Sequence, residues 1–258
     1  MDDERFGYAV SRALMRQGGG IGSLSEKTLH SALKYYYEPD DSKHEAECGG
    51  FIADIKNDGG IIEIQTGSFF HLKRKLEAFL KEGPVTVVHP VIRQRLIIGV
   101  EKETGEIKSK RRSPKKGRLQ DAFGELVHLG GVLSSGNLAV VIPIVDAEEY
   151  RVNREKKRRF RDRGYDRVDT VPTGLIEEWS FVESDDWLRL VPDALLNKPE
   201  GFTVRELADS LELDLNKAQA MAKTLFFTGA LKREKTGRSY HYGKNHEDIA
   251  DTDECCGG

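Results

Sequence analysis

Asp54, Glu63 and Gln65 are the residues of this sequence whose types and spacing best suit chemistry. Asp54 stands in the apolar run Gly50-Phe-Ile-Ala-Asp-Ile55, and Glu63 and Gln65 stand in Ile61-Ile-Glu-Ile-Gln-Thr66. Asn57-Asp-Gly-Gly60 lies between the runs, so the segment reads as strand, tight turn, strand. Period-two alternation puts Glu63 and Gln65 on one face and lets Asp54 approach Glu63 across the hairpin. Carboxylates set among isoleucines are costly to bury without a partner or a cation. With the carbonyl of Ile64 they make an oxygen-rich site for a hard cation such as Mg²⁺ or Mn²⁺. A cation there lowers the pKa of a bound water and neutralises charge on a phosphodiester. Gln65 would orient water or phosphate, and Glu26, on the preceding helix, would serve as a further ligand or base.

The surrounding pattern supplies elements to hold these groups. A helix capped by Ser23 or Ser25 is predicted through about Tyr37, with Leu29 and Leu33 on one face. Residues 38–48 read as a loop. After the hairpin, Leu72, Leu76, Phe79 and Leu80 recur at helical spacing until Gly83-Pro84. Buried strands are expected at Val85–His89, Leu96–Val100 and Leu138–Val145, with a helix from Leu119 to about Leu129. Gly174–Glu183 reads as a further strand.

This order resembles the PD-(D/E)XK, or restriction-endonuclease-like, nuclease superfamily over roughly residues 20–145. Asp54 matches the motif's first acid, Glu63 its second, and Glu26 the helix-borne glutamate of many members. Ala53 stands where the motif has proline, and Gln65 where it has lysine. Some members place an amide there or recruit a lysine from the next helix, where Lys75 flanks the Leu72/Leu76 face. The resemblance implies an α/β fold with a mixed central sheet flanked by helices, and Mg²⁺-dependent DNA cleavage.

Positive charge gathers locally although the formal net charge is only -3. Residues 108–118 read as a basic loop in which Lys110, Arg111, Arg112, Lys115, Lys116 and Arg118 would clamp a phosphate backbone. Residues 151–184 read as a basic connector, its first part a solvated helix or extended segment. His30, His71 and His89 are isolated and read as structural or surface residues; His89, ending a buried strand beside Pro90, lies nearest to chemistry. Cys48, Cys255 and Cys256 show no zinc spacing and no disulfide framework. The acidic start Met1-Asp-Asp-Glu-Arg has no signal-peptide pattern, and no apolar run reaches spanning length. The expected location is the cytoplasm, with no membrane association.

From residue 185 to 244 the pattern is three helices and then two short strands. The second helix, Phe202–Leu211, carries a capping box in Thr203 and Glu206. This part resembles a small α+β winged helix-turn-helix domain. Its recognition helix, Asp214–Phe227, would present Asn216, Lys217, Gln219, Lys223 and Thr224 outward, and Arg233 and Arg238 would sit on the wing. Residues 245–258 read as a disordered acidic tail.

The chain is therefore expected to place a nuclease-like domain at 1–150 before the connector and the winged helix. The expected activity is metal-dependent DNA endonuclease, in a setting such as defence or a mobile element. DNA is the expected partner; the winged helix also suits a protein partner, and a homodimer is admitted. The alternative is a catalytically inactive nuclease fold acting as a DNA-binding regulator or interaction subunit.

Overall fold

The computed structural model describes residues 3–16, 27–154 and 164–245. Helix α1 spans Asp3–Arg16 and α2 Thr28–Tyr37. Strands β1 (His44–Cys48), β2 (Phe51–Asn57) and β3 (Gly60–Ile64) follow, then α3 (Leu72–Phe79), β4 (Val85–Val88), β5 (Val91–Val100) and β6 (Ile107–Arg112). A helical layer over residues 119–134, with α4 (Phe123–Leu126) at its centre, leads into the long strands β7 (Leu138–Asn153) and β8 (Tyr165–Phe181).

These strands form one mixed sheet flanked by helices. β1, β2 and β3 are an antiparallel meander, and β3, β4 and β7 run parallel. β8 pairs antiparallel along nearly all of β7. The opposite edge of β7 is shared: β4 covers Leu138–Val141, and β5 covers Ile144–Val152. β3 and β6, the outer neighbours of β4 and β5, therefore lie along the same side of the sheet. Val87, Val140, Ile142 and Ile144 pack under α3 and α4, while Ile64, Val88, Val141 and Val145 pack under α1 and α2.

Several expectations are corrected. α1 escapes the sequence reading because its apolar stripe is thin, with Phe6, Ala9 and Ala13 as its fully buried positions. Residues 44–48 are a strand rather than loop, because β1 has β2 as its partner. Within the expected basic loop, Ile107–Arg112 is an edge strand on β5; all six residues are exposed, and charge keeps such an edge from recruiting another chain. Within the expected connector 151–184, the described residues mostly continue the sheet, so the first unit runs past residue 150 to Phe181. The expected strand Gly174–Glu183 is the second half of β8, whose pairing with β7 carries three register shifts.

The C-terminal part holds α5 (Ser184–Leu188), α6 (Asp193–Leu196), α7 (Val204–Leu211), α8 (Leu215–Phe227) and a hairpin of β9 (Leu231–Thr236) and β10 (Ser239–Lys244). Thr203 and Glu206 cap α7 reciprocally, and Asp214 caps α8 by accepting the Lys217 N–H at 3.0 Å. This part shares its core with the sheet. Trp187 stacks on Phe181 at 4.2 Å between centroids and meets Phe123 edge-on at 6.2 Å. Arg118 donates to the carbonyls of Leu211 and Glu212, and Lys217 pairs with Asp121 at 2.7 Å. No helix among the described residues is long and apolar enough to cross a membrane.

Candidate active site

The site is built where β2 and β3 part. Their ladder pairs Ile55 with Ile62, Lys56 with Ile61 and Asn57 with Gly60. One residue further, a carboxylate takes over: Asp54 Oδ2 accepts the Ile64 N–H at 2.7 Å. A buried N–H left without an acceptor costs about 1–3 kcal/mol, so the side chain stabilises the fork that it opens. His30, on α2, reaches the same Asp54 oxygen through Nε2 at 3.2 Å.

Glu63 stands in the fork with its side chain only 5% exposed, and Lys75 Nζ from α3 contacts its Oε1 at 2.5 Å. Lys75 also lies 5.4 Å from the centre of the Phe79 ring. Glu63 Oε2 is buried and has no hydrogen-bond partner. An orphaned carboxylate oxygen in a protein interior calls for a proton or a cation. Burial, and then the charge of Asp54, push the Glu63 carboxyl up to about 7 against the pull of Lys75. Burial also acts on Asp54, but His30, the Ile64 N–H and Lys75 outweigh it, and its carboxyl titrates below the usual range. Asp54 thus keeps its charge, and Glu63 takes the proton that the pair shares.

A pH dependence follows. Because Glu63 holds its proton more tightly folded than unfolded, metal-free protein loses stability as pH rises from about 4.5 to about 7, then levels. Thermal melts in EDTA at about pH 5 and pH 8 should show this fall in the wild type and a smaller one in Glu63→Gln. Equal falls in both proteins would assign the loss to other groups.

The remaining expected residues divide. Gln65 lies next to the fork, but its amide donates to the Ser68 carbonyl at 2.7 Å rather than toward the carboxylates. Its own carbonyl is held by His89 Nδ1 at 2.6 Å, and burial keeps the His89 ring below its usual pKa. Glu26 lies outside the described residues, as does the tail from residue 246. Among the described residues no three His, Cys, Asp or Glu side chains gather into a metal-sized group, so the fork offers two carboxylates.

Of the expected phosphate-binding residues, Lys110, Arg111, Arg112, Lys115 and Lys116 are exposed along β6 and the turn after it. The Gly117 N–H at the end of that turn donates to Arg93 O, which ties the turn to β5. Arg118 and Lys217 are spent on the contacts described above, because packing of the C-terminal part brings carbonyls and Asp121 within their reach. Thr224, expected outward, is buried and donates to Ala220 O. Lys223 lies over the Phe227 ring, Arg233 over Phe226 and Tyr240, and Arg238 is exposed beside the hairpin turn.

Sequence reasoning missed His30, which an isolated histidine on a helix does not announce, and named Lys75 only as a substitute for the motif lysine. The model of the family described as a domain of unknown function (DUF8091) matches residues 27–182, a span that holds His30, Asp54, Glu63 and Lys75. An uncharacterized protein of Treponema pallidum (strain Nichols) is 34% identical over 191 residues, covering 74% of each chain. No solved structure matches.

Proposed function

We propose that the chain, which belongs to the DUF8091 family, is a metal-dependent endonuclease acting on DNA. The observation that carries this reading is the fork, where Asp54 faces Glu63, Glu63 keeps one oxygen unpartnered, and Lys75 holds the other. The order α2-β1-β2-β3-α3-β4, with acids on two adjoining strands and a lysine from the next helix, supports a restriction-endonuclease-like core.

The residues fit a small hard cation. Mg²⁺ takes one or two carboxylates and completes its shell with water and substrate phosphate. Asp54 and Glu63 would hold it, with the orphaned Glu63 oxygen turned to use. When bound, the cation acidifies a water and offsets negative charge on the phosphodiester. Asp54 is oriented for this by the Ile64 N–H and His30. Lys75 takes the part that Gln65 cannot play, presenting a positive charge to the phosphate as charge develops on it.

The C-terminal helices and the β9–β10 hairpin suit a winged helix that delivers the sheet domain to DNA. Asn216, Gln219 and Lys223 lie exposed along one side of α8 and are the side chains available there. A protein that binds DNA without cutting is the second reading, and the commitment of the Gln65 amide to Ser68 is what favours it.

The test is nicking of supercoiled plasmid with Mg²⁺ or Mn²⁺. Lys75→Met should lower the rate by roughly 10²–10³-fold with little change in KM, the loss typical of one transition-state donor. Lys75→Arg should recover part of the rate. Wild-type protein that binds plasmid but nicks it with neither cation would overturn the enzyme in favour of the second reading.

A further inference from the structure

We propose that Arg95, Arg151 and Arg167, gathered around Glu149, form a phosphate clamp for the nucleic-acid backbone about one duplex turn from the fork. The inference deepens the nuclease reading and rests on it for the nature of the ligand. Glu149 lies in the second half of β7 and is fully buried. Its Oε1 accepts from Arg151 Nε at 2.5 Å, with Arg151 Nη2 at the same distance. Its Oε2 has Arg167 Nε at 3.3 Å and Arg95 Nε at 3.5 Å, yet makes no hydrogen bond, and neither does Arg95 Nε. The three arginines come from three strands, β5, β7 and β8, and Arg151 is the cross-strand partner of Arg167. The Tyr165 ring supports Arg151 at 4.0 Å.

One carboxylate cannot balance three guanidinium groups. The nearby acids are engaged elsewhere: Asp121 by Lys217, Glu148 by Lys110 and the Tyr150 hydroxyl, Asp169 by Thr28, and Asp166 by Arg154. Among the described residues Glu149 is the one acid paired with these three guanidinium groups, so positive charge is in excess at a half-buried site. Burial, together with Arg167 and Arg151, pushes the Arg95 guanidinium below its usual pKa despite Glu149. The terminal nitrogens of Arg95 and Arg167 bond to no other described residue, and these side chains stay 29% and 42% exposed. Such forks match the oxygens of a phosphate. Glu149 is the positioning residue, holding the groups together for an anion that it does not itself touch.

The surroundings favour a polymer over a single phosphate. Ile97 pairs with Glu149 on one side and with Arg111 of β6 on the other, so the exposed cationic strand continues the same cross-strand row. β6 lies on the same side of the sheet as the fork. Glu63 aligns with Val87 and thereby with Val140, nine residues before Glu149 on β7. At about 3.3 Å per residue this is about 30 Å, or about nine base pairs of duplex.

The test is binding of a labelled duplex of about 20 base pairs, about two turns, by fluorescence anisotropy in EDTA. The full chain carries Asp54→Asn, so that cleavage does not interfere. Across about 50–200 mM salt, Arg95→Gln/Arg167→Gln should bind roughly tenfold more weakly and lose about 0.9 of the salt slope per phosphate contact removed. Arg167→Lys should retain the slope, and Lys81→Gln, distant from the cluster, should change neither quantity. Unchanged affinity and slope in a double variant that melts like its parent would overturn the clamp. If the double variant melts early, Arg167→Gln against Arg167→Lys decides, and equal binding by the two overturns it. Nicking of plasmid by protein with Asp54 intact is read separately. Nicking with arginine-independent binding sinks the clamp and leaves the nuclease, whereas arginine-dependent binding without nicking does the reverse.

Discussion

Asp54→Asn and Glu63→Gln should each abolish metal-dependent nicking of supercoiled plasmid, with a loss of about 10³-fold or more. The size follows from the cation that the two acids are proposed to hold. A cation offsets several kcal/mol of transition-state charge, and each 1.36 kcal/mol is a factor of ten in rate. The two substitutions should differ in stability. Asp54 accepts the Ile64 N–H and contacts His30, so an amide there weakens the fork. Glu63 is a buried carboxylate with one oxygen unpartnered, so glutamine should leave the melting temperature of metal-free protein at pH 8 unchanged or higher. The pair of measurements separates a lost reaction from a lost fold. Nicking that survives in both variants would place the chemistry elsewhere in the chain.

Phe123→Ala should destabilise the whole chain by about 3–5 kcal/mol. Phe123, the first residue of α4 in the helical layer, is fully buried and meets Trp187 edge-on, and Trp187 in turn stacks on Phe181. The ring thus joins the sheet, the helical layer and the C-terminal helices in one core. Because that core is continuous, denaturant unfolding followed by tryptophan fluorescence should show one transition, shifted as a unit. For a chain of this size the melting temperature should fall by about 6–20 °C. Two transitions, with one of them unmoved, would mean that the C-terminal part unfolds on its own and that its contact with the sheet contributes little.

The local features of this protein are legible in its residues. The Asn57–Gly60 turn between alternating isoleucine runs specifies the hairpin, and with it the approach of Asp54 to Glu63, because turn chemistry and period two act over a few residues. The Thr203 and Glu206 capping box is equally local, and the structure realises it. The features that depend on distant segments are not legible in this way. His30 and Lys75 reach the fork because α2 and α3 pack near the parting strands, and nothing in their own sequence neighbourhoods specifies that contact. Gln65 sits at the right spacing, yet its amide turns to a carbonyl that the following loop brings round. The expected strand Gly174–Glu183 is the second half of β8, whereas its first half becomes a strand only through pairing with the end of β7. Glu149 and its three arginines come from segments that share no motif, and the sheet alone brings them together. Periodicity and capping are set by bonds between near neighbours, whereas which charge meets which across the sheet is decided by packing that no short window of sequence contains.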